Sequence, residues 1–234
     1  MVYIKSIELC GFKTFHDRVT AEFWQGINCI TGPGGSGKTN LINAIKWVLE
    51  PNNSEFSESK GLGILSIGED NTQAEFAEVS LTIGYESDSE FEQKDFSIGR
   101  VLTQNGLNSY YINGKQIEAA KFLQFVNELN QNFLDTFEPD RQGDSSASSL
   151  QLQTIESLIQ FSMKNDTIPA SALIVDSTEF ALSDDVLSAL KEFLVKAKDI
   201  SQILLITHNP ELIKLADKIL RLSMGGRQGS SGIY

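Results

Sequence analysis

The sequence of 234 residues is poor in cysteine, poor in positive charge and free of long apolar runs. Its two cysteines, Cys10 and Cys29, are too few for a disulfide framework or a thiolate metal cluster, so we expect a reducing compartment such as the cytoplasm. No apolar stretch approaches the roughly 20 residues that a membrane-spanning helix requires. Charged residues also interrupt the N-terminal segment in which a signal peptide would lie. We therefore expect no membrane partner.

Positive charge is scarce. Lysine and arginine number 19 against 31 aspartates and glutamates, which gives a formal net charge of −12. A general nucleic-acid binder needs clustered lysine and arginine to neutralise phosphates, so the acidity makes DNA a weak candidate ligand. The hydrophobic fraction of 41% is that of a globular protein, and the length suits one domain or two small lobes that share a core.

Hydrophobic periodicity divides the chain into two α/β parts around a polar joint. Strands are predicted at 3–9, 19–23, 27–30, 76–85, 96–102, 109–112, 172–175, 203–206 and 218–222. Helices are predicted at 41–49, 118–134, 152–163, 185–197 and 210–216. The resulting single domain has an N-terminal lobe at 1–138, a joint of linker composition at 139–149, a C-terminal lobe at 150–222 and a loose Gly/Ser-rich tail at 223–234.

A glycine-rich loop follows the predicted strand at 27–30 and opens a predicted helix, and it matches the pattern G-x-x-x-x-G-K-[ST] at every required position. Small residues let backbone N–H groups surround phosphates, and the helix N-terminus adds positive potential. Lys38 would bridge the β- and γ-phosphates of a nucleotide, and the Thr39 hydroxyl would ligate Mg²⁺. The loop residues are Gly32, Pro33, Gly34, Gly35, Ser36, Gly37, Lys38 and Thr39.

Two weaker motifs end buried strands in the C-terminal part. The run 172–176 is an apolar strand that ends in Asp176, the form of a Walker B motif, and this carboxylate could hold the Mg²⁺ shell opposite Thr39. His208 follows the strand at 203–206, where one class of P-loop proteins has a γ-phosphate sensor. A strand-ending Asp is often a turn former and a lone His is often structural, but the order of the motifs favours function.

The three motifs, in this order, resemble the ABC-type ATPase head of the SMC (structural maintenance of chromosomes) family. The similarity covers about 1–115 and 150–222 and includes the element Gly11-Phe12-Lys13-Thr14-Phe15. It implies an α/β P-loop NTPase fold with a mixed central sheet flanked by helices and an antiparallel β lobe. It also implies ATP and Mg²⁺ as cofactors, adds Lys13 and Asn40 to the nucleotide-binding residues, and places Gln142 at the Q-loop, which contacts Mg²⁺ and the lytic water.

The sequence departs from the SMC pattern at functional positions. Ser177 follows Asp176 where the family has a catalytic Glu, and serine is a poor base at neutral pH. Glu179 lies two positions further on and could replace the missing group. The signature loop, expected at 148–152, lacks both glycines and its Glu. Full SMC chains also insert coiled-coil arms and a hinge between the lobes, whereas no heptad stretch occurs here. A head-only relative and a chain whose arms were removed are both compatible with the sequence.

Three functions are compatible with these features. The first is an ATP-binding head with slow or absent hydrolysis that acts as a nucleotide-gated interaction module in chromosome or DNA maintenance. The second is an active ATPase in which Glu179 or a partner chain supplies the catalytic group. The third is a small P-loop kinase, which the few and scattered arginines disfavour. The resemblance implies a second head domain as partner, with a heterodimer favoured because the signature loop is degraded. It also implies a nucleoid or nuclear location for a chromosome factor.

Overall fold

A computed structural model describes residues 2–53, 56, 63–68, 71–85, 95–130, 134–137, 172–177, 184–224 and 231–233. Gln142, Glu179, the joint at 139–149, the signature loop at 148–152 and the predicted helix at 152–163 lie outside the described residues. Within the described residues, no helix combines the length and the apolar character needed to cross a membrane.

The described elements are twelve strands and four helices. The strands are β1 (Val2–Cys10), β2 (Val19–Glu22), β3 (Ile27–Thr31), β4 (Phe76–Tyr85), β5 (Phe96–Thr103), β6 (Asn108–Ile112), β7 (Lys115–Ile117), β8 (Leu134–Phe137), β9 (Ala172–Asp176), β10 (Gln202–Ile206), β11 (Lys218–Met224) and β12 (Ser231–Ile233). The helices are α1 (Lys38–Leu49), α2 (Ala119–Asn130), α3 (Asp184–Ala197) and α4 (Pro210–Ile213).

The strands form two six-stranded sheets. The first has the order β2-β1-β4-β5-β6-β7, and all its neighbours are antiparallel. The second has the order β12-β11-β3-β10-β9-β8, and its neighbours are parallel except for β12, which pairs antiparallel with β11. The mixed sheet and the antiparallel lobe expected from the sequence are thus confirmed.

The parallel sheet is buried on both faces, which explains its unbroken apolar runs. In β10, Leu204 and Ile206 pack into a core shared with α1 and the antiparallel sheet. Ile203 and Leu205, one residue out of phase, pack against α3 on the other face. Because side chains alternate along a strand, one five-residue segment contributes to two cores. Helix α1 is therefore packed between the two sheets.

Buried polar side chains join the two sheets. The Gln202 amide accepts a hydrogen bond from the backbone N–H of Ile4 (2.9 Å) and donates to the carbonyls of Ile4 (2.8 Å) and Trp24 (2.8 Å). Arg100 of β5 donates to the carbonyl of Trp47 (3.0 Å) in the last turn of α1, and its guanidinium lies 4.6 Å from the Trp47 ring. Burial lowers the pKa of Arg100. The Gln202 contacts join β10 to β1, and the Arg100 contacts fix α1 relative to the antiparallel sheet.

The structure differs from the sequence expectations at several elements, since the sequence does not predict strand β7 and the helix predicted at 210–216 ends at Ile213. The helix expected at 118–134 ends as α2 at Asn130, and Leu134 already begins strand β8. The tail expected to be loose from 223 onward instead extends β11 to Met224 and supplies β12. A Ser-Gly-Ile strand carries little hydrophobic signal, because Ile233 is its one large apolar residue, and pairing with β11 together with packing of Ile233 on the core stabilises it. Residues 225–230 and 234 lie outside the described part.

Candidate nucleotide-binding site

The three predicted motifs meet at one edge of the parallel sheet. Strand β10 lies between β3 and β9, and Ile206 is in register with both Ile30 and Asp176. Since parallel strands point the same way, the glycine-rich loop after β3, Ser177 after β9 and Thr207 after β10 emerge side by side. The sequence order alone could not show that the strand bearing the His208 motif separates the other two.

The glycine-rich loop has a backbone that two of its glycines make possible. Gly35 has a φ of 77°, in the left-handed region where a side chain is disfavoured. A Cβ on Gly32, whose φ is 154°, would lie 2.3 Å from the carbonyl oxygen of Leu222 and 2.7 Å from Ser36 Oγ. The loop therefore packs closely on the end of β11. Its outer residues, Pro33 to Gly35, stay exposed and available to a ligand.

Lys38 turns back into the loop. Its Nζ donates to the carbonyl oxygens of Gly32 (2.8 Å) and Pro33 (2.9 Å), and only 7% of the residue is exposed. Burial lowers the pKa of Lys38, while the nearby negative charge of Asp176 acts in the opposite direction. The register of β3, β10 and β9 places the loop lysine and the strand-ending carboxylate at the same edge of the sheet, in agreement with this electrostatic interaction.

The residues present fit a nucleotide phosphate and its metal. Ser36 Oγ is fully buried and has no hydrogen-bond partner in the described part of the chain. It lies beside Gly32, where an added Cβ would come within 2.7 Å of it. Thr39, in the first turn of α1, is exposed. Among the described residues, Thr39 offers a hydroxyl and Asp176 a carboxylate, and Mg²⁺ is usually held by one or two carboxylates together with phosphate oxygens.

Ser177 is tied to the neighbouring strand. Its Oγ donates to the carbonyl oxygen of Ile206 (3.0 Å), and its backbone N–H donates to the same oxygen (2.9 Å). Only 8% of the residue is exposed. The side chain at position 177, where the sequence resemblance predicts a catalytic Glu, thus makes a hydrogen bond to the neighbouring strand.

The turn after β10 displays His208. Thr207 is buried and its Oγ1 accepts from the backbone N–H of Asn209 (3.1 Å), while Asn209 caps α4 by accepting from the N–H of Glu211 (2.8 Å). Pro210 occupies the first helical turn, where its missing N–H costs nothing. Hydrogen bonds fix Thr207 and Asn209 on either side of His208. The imidazole itself is exposed at the edge of the parallel sheet where the three motifs meet.

Lys13 lies in the Gly-Phe-Lys-Thr-Phe element, and Asn40 lies in the first turn of α1, directly after the loop. The Asn40 amide donates to Thr14 Oγ1 (3.0 Å) and so joins the first turn of α1 to the Gly-Phe-Lys-Thr-Phe element. Lys13 has a φ of 49°, its backbone N–H donates to Ile64, and its ammonium lies 5.9 Å from the rings of Phe12 and Phe56. These contacts fix the backbone around both residues, and their assignment to nucleotide remains an expectation.

The sequence motifs miss two residues that touch the loop. The carbonyl of Leu222 faces Gly32, and the terminal methyl of Met224 would lie 2.7 Å from a Cβ on Gly35. Both belong to β11, which pairs with β3 only in the folded structure. Met224 falls in the segment that looks like a loose tail, so no local signal identifies it.

A glycine-rich loop between a buried strand and a helix, a strand-ending Asp and the intervening His208 strand define a P-loop NTPase with the ABC-type head fold. The chain belongs to the RecF/RecN/SMC N-terminal domain family, whose sequence model matches residues 3–231. The resemblance to an SMC head is therefore confirmed.

Known relatives agree with this assignment. The chromosome partition protein Smc of Fusobacterium nucleatum is 35% identical over 139 residues, which are 58% of this chain and 11% of the relative, so the chain spans about a tenth of that protein's length. The SMC head domain of Thermotoga maritima superposes with a TM-score of 0.66 at 20% identity, over 99% of this chain and 98% of the other. The Pyrococcus furiosus Smc head with an extended coiled coil, bound to the C-terminal domain of ScpA, gives 0.73 at 15% identity over 100% and 96%. At these identities the solved structures show the fold alone.

Proposed function

We propose that this chain binds ATP with Mg²⁺ at the glycine-rich loop and hydrolyses it slowly or not at all, acting as a nucleotide-gated interaction module in chromosome or DNA maintenance. The observation that carries the proposal is the contrast between two neighbouring positions. The phosphate-binding loop keeps every required residue and its buried lysine. The catalytic position is a serine whose hydroxyl is bonded to Ile206.

Different residues of the site bind different parts of the nucleotide and its metal. Backbone N–H groups of the loop surround the phosphates, and Lys38 exchanges its carbonyl partners for phosphate oxygens. Thr39 and Asp176 hold the metal, with Gln142 as a further ligand. Bound Mg²⁺ neutralises charge on the β- and γ-phosphates and orients them. Lys13 and Asn40 support the nucleotide from the Gly-Phe-Lys-Thr-Phe element and α1, and His208 senses the γ-phosphate.

Hydrolysis is slow in this proposal because no group at position 177 orients or deprotonates the attacking water. A positioned general base contributes about 10²- to 10⁴-fold to the rate of a proton transfer, and a serine hydroxyl at neutral pH does not supply it. Glu179 or a partner chain could restore that factor, which makes an active ATPase the competing function.

Partners follow from the same proposal. A second head domain would complete the site, and a heterodimer is favoured because the residues at 148–152 lack the signature glycines. A ScpA-like protein is a further partner class, since ScpA binds the Pyrococcus furiosus head. DNA is a weak ligand at a net charge of −12. The site of action would be the cytoplasm, or the nucleoid or nucleus for a chromosome factor.

Equilibrium titration with a fluorescent ATP analogue and Mg²⁺, paired with steady-state phosphate release, tests the proposal. We expect saturable binding together with turnover well below the roughly 1 s⁻¹ at the lower end of common enzymes. Absence of saturable binding would exclude the nucleotide site. Binding accompanied by fast turnover of the isolated chain would instead support the active ATPase. Light scattering with and without ATP then reports dimerisation, and a stable ATP-dependent homodimer would argue against the heterodimer.

A further inference from the structure

An open cleft lies at the edge of the parallel sheet opposite to the nucleotide loop. Its volume is about 880 Å³, and it opens between the antiparallel sheet and the starts of the parallel strands. Gly26 precedes β3, Asp199 precedes β10 and Asp217 precedes β11. Strands of five residues separate the two edges by roughly 16 Å, at about 3.3 Å per residue. A ligand in this cleft would leave the nucleotide loop free.

Trp24 projects from a rigid backbone at this cleft. Its backbone N–H donates to Asn28 Oδ1 (2.7 Å), and its carbonyl accepts from the amides of Asn28 (2.7 Å) and Gln202 (2.8 Å), both of which are fully buried. The residue is nevertheless 57% exposed. A large aromatic side chain displayed from a fixed backbone is the typical anchor of a protein interface, because ordering it on binding costs little entropy.

The charges around Trp24 have a small acidic excess. The lining contains four carboxylates against two lysines, and Lys218 beside Trp24 is a third lysine, so the local balance is 4 acidic against 3 basic side chains, or −1. Lys5 is already bonded to Asp95 (2.5 Å), and Lys198 lies 3.7 Å from Asp217. Among the described residues, no cation pairs with Asp199.

Glu22, the fourth carboxylate of the lining, has only a weak partner. Glu22, with 79% of its side chain exposed, has Lys218 at 3.9 Å, so this pair contributes little. Glu22 and Asp199 therefore keep negative charge that a partner can neutralise. The Nζ of Lys218 also lies 5.8 Å from the Trp24 ring, and a cation of a partner would take the place of this lysine, which is free to turn to Glu22 or solvent.

We propose that this cleft, defined by Glu22, Trp24, Asp199 and Asp217, is a docking surface for a basic segment of a partner protein. An arginine or lysine of that segment stacks on Trp24 while others pair with Glu22 and Asp199. The charge balance selects a basic occupant, and the cleft has room for several side chains. Docking is independent of nucleotide, because the loop residues lie at the other edge of the sheet.

An arginine-rich synthetic peptide tests the surface through tryptophan fluorescence, with an acidic peptide of equal length as the negative probe. Of the two tryptophans, Trp24 is exposed and Trp47 is fully buried, so a peptide-dependent change reports Trp24. We expect the basic peptide alone to change the emission, and Trp24→Phe to abolish that change. Failure of the basic peptide to bind in any readout would overturn the proposal.

Matched charge variants distinguish peptide binding at the cleft from general attraction of the peptide to the negative charge of the whole chain. The double variant Glu22→Gln/Asp199→Asn should weaken peptide binding about tenfold. The control is Glu118→Gln/Glu128→Gln, which removes two exposed carboxylates, one just before α2 and one within it. This control should change peptide binding less than about twofold. Equal weakening by both pairs would overturn the proposal. The titration is run without nucleotide, and Lys38→Ala should leave it unchanged, so a failed nucleotide site and a failed docking surface give different results.

Discussion

The Ser177 hydroxyl donates to the carbonyl oxygen of Ile206 at 3.0 Å, so the residue that follows the strand-ending Asp176 is joined to the strand that leads to His208. The same carbonyl also accepts the Ser177 N–H. A catalytic carboxylate at this position would have to point away from Ile206, because a carboxylate cannot donate to a carbonyl. The serine thus joins the ends of β9 and β10, and our proposal of slow hydrolysis follows from its lack of a basic group.

Lys38→Ala should abolish most nucleotide binding. The ammonium is the one loop cation positioned for phosphates, and charge-assisted hydrogen bonds contribute about 1.5–3 kcal/mol, which is a loss of at least about tenfold in affinity. Equilibrium titration measures the effect, and Lys191→Ala on α3 is the matched control. Unchanged affinity in Lys38→Ala would show that the nucleotide binds elsewhere.

Met224→Ala should weaken nucleotide binding about tenfold without unfolding the chain. The Met224 methyl packs against Gly35, and its removal frees the loop to sample conformations that cannot bind phosphate. Ile219→Ala, an exposed residue on the same strand, is the control and should bind normally. Gly35→Ala should also weaken binding, and coupling between the two substitutions in a double-mutant cycle would demonstrate the contact. Purely additive effects would contradict it.

Gln202→Ala should destabilise the fold by about 3 kcal/mol, because it removes the hydrogen-bond partner of the buried N–H and carbonyl of Ile4 and leaves the Trp24 carbonyl with Asn28 alone. Urea denaturation should show a lower midpoint with an unchanged slope. Gln116→Ala in the exposed strand β7 serves as the control and should change stability by less than about 0.5 kcal/mol. A similar loss of unfolding free energy in both variants would show that the Gln202 amide has no special role in stability.

Cys29 should resist alkylation at neutral pH and make the fold sensitive to alkali. Burial raises the pKa of its thiol from 9.0 to about 11, so the unfolded chain ionises first and stability falls as the pH rises from about 9 to 11. At higher pH both states are ionised and this loss is complete. The alkali-dependent part of the unfolding free energy should be smaller in Cys29→Ala. Identical pH profiles of wild type and variant would rule out the thiol as the source.

Local patterns were sufficient for most elements that carry the motifs. The loop at 32–39 and the buried strands of Asp176 and His208 were predicted because each combines a strong hydrophobic signal with a specific residue type. The position of β10 between β3 and β9, the packing of Met224 on Gly35 and the Ser177 bond to Ile206 depend on tertiary pairing. No window of sequence contains both partners of these contacts, so they could not be predicted.

Single-turnover ATP hydrolysis by wild type, Ser177→Ala and Ser177→Glu tests the central claim most directly. We expect wild type and Ser177→Ala to be equally slow, because the hydroxyl is not a base, and Ser177→Glu to be faster by at least about tenfold, because a carboxylate can orient or deprotonate the water. Thermal melts establish that each variant is folded. Wild-type hydrolysis as fast as that of Ser177→Glu, or a marked slowing in Ser177→Ala, would contradict the claim that this head binds ATP without an effective catalytic group.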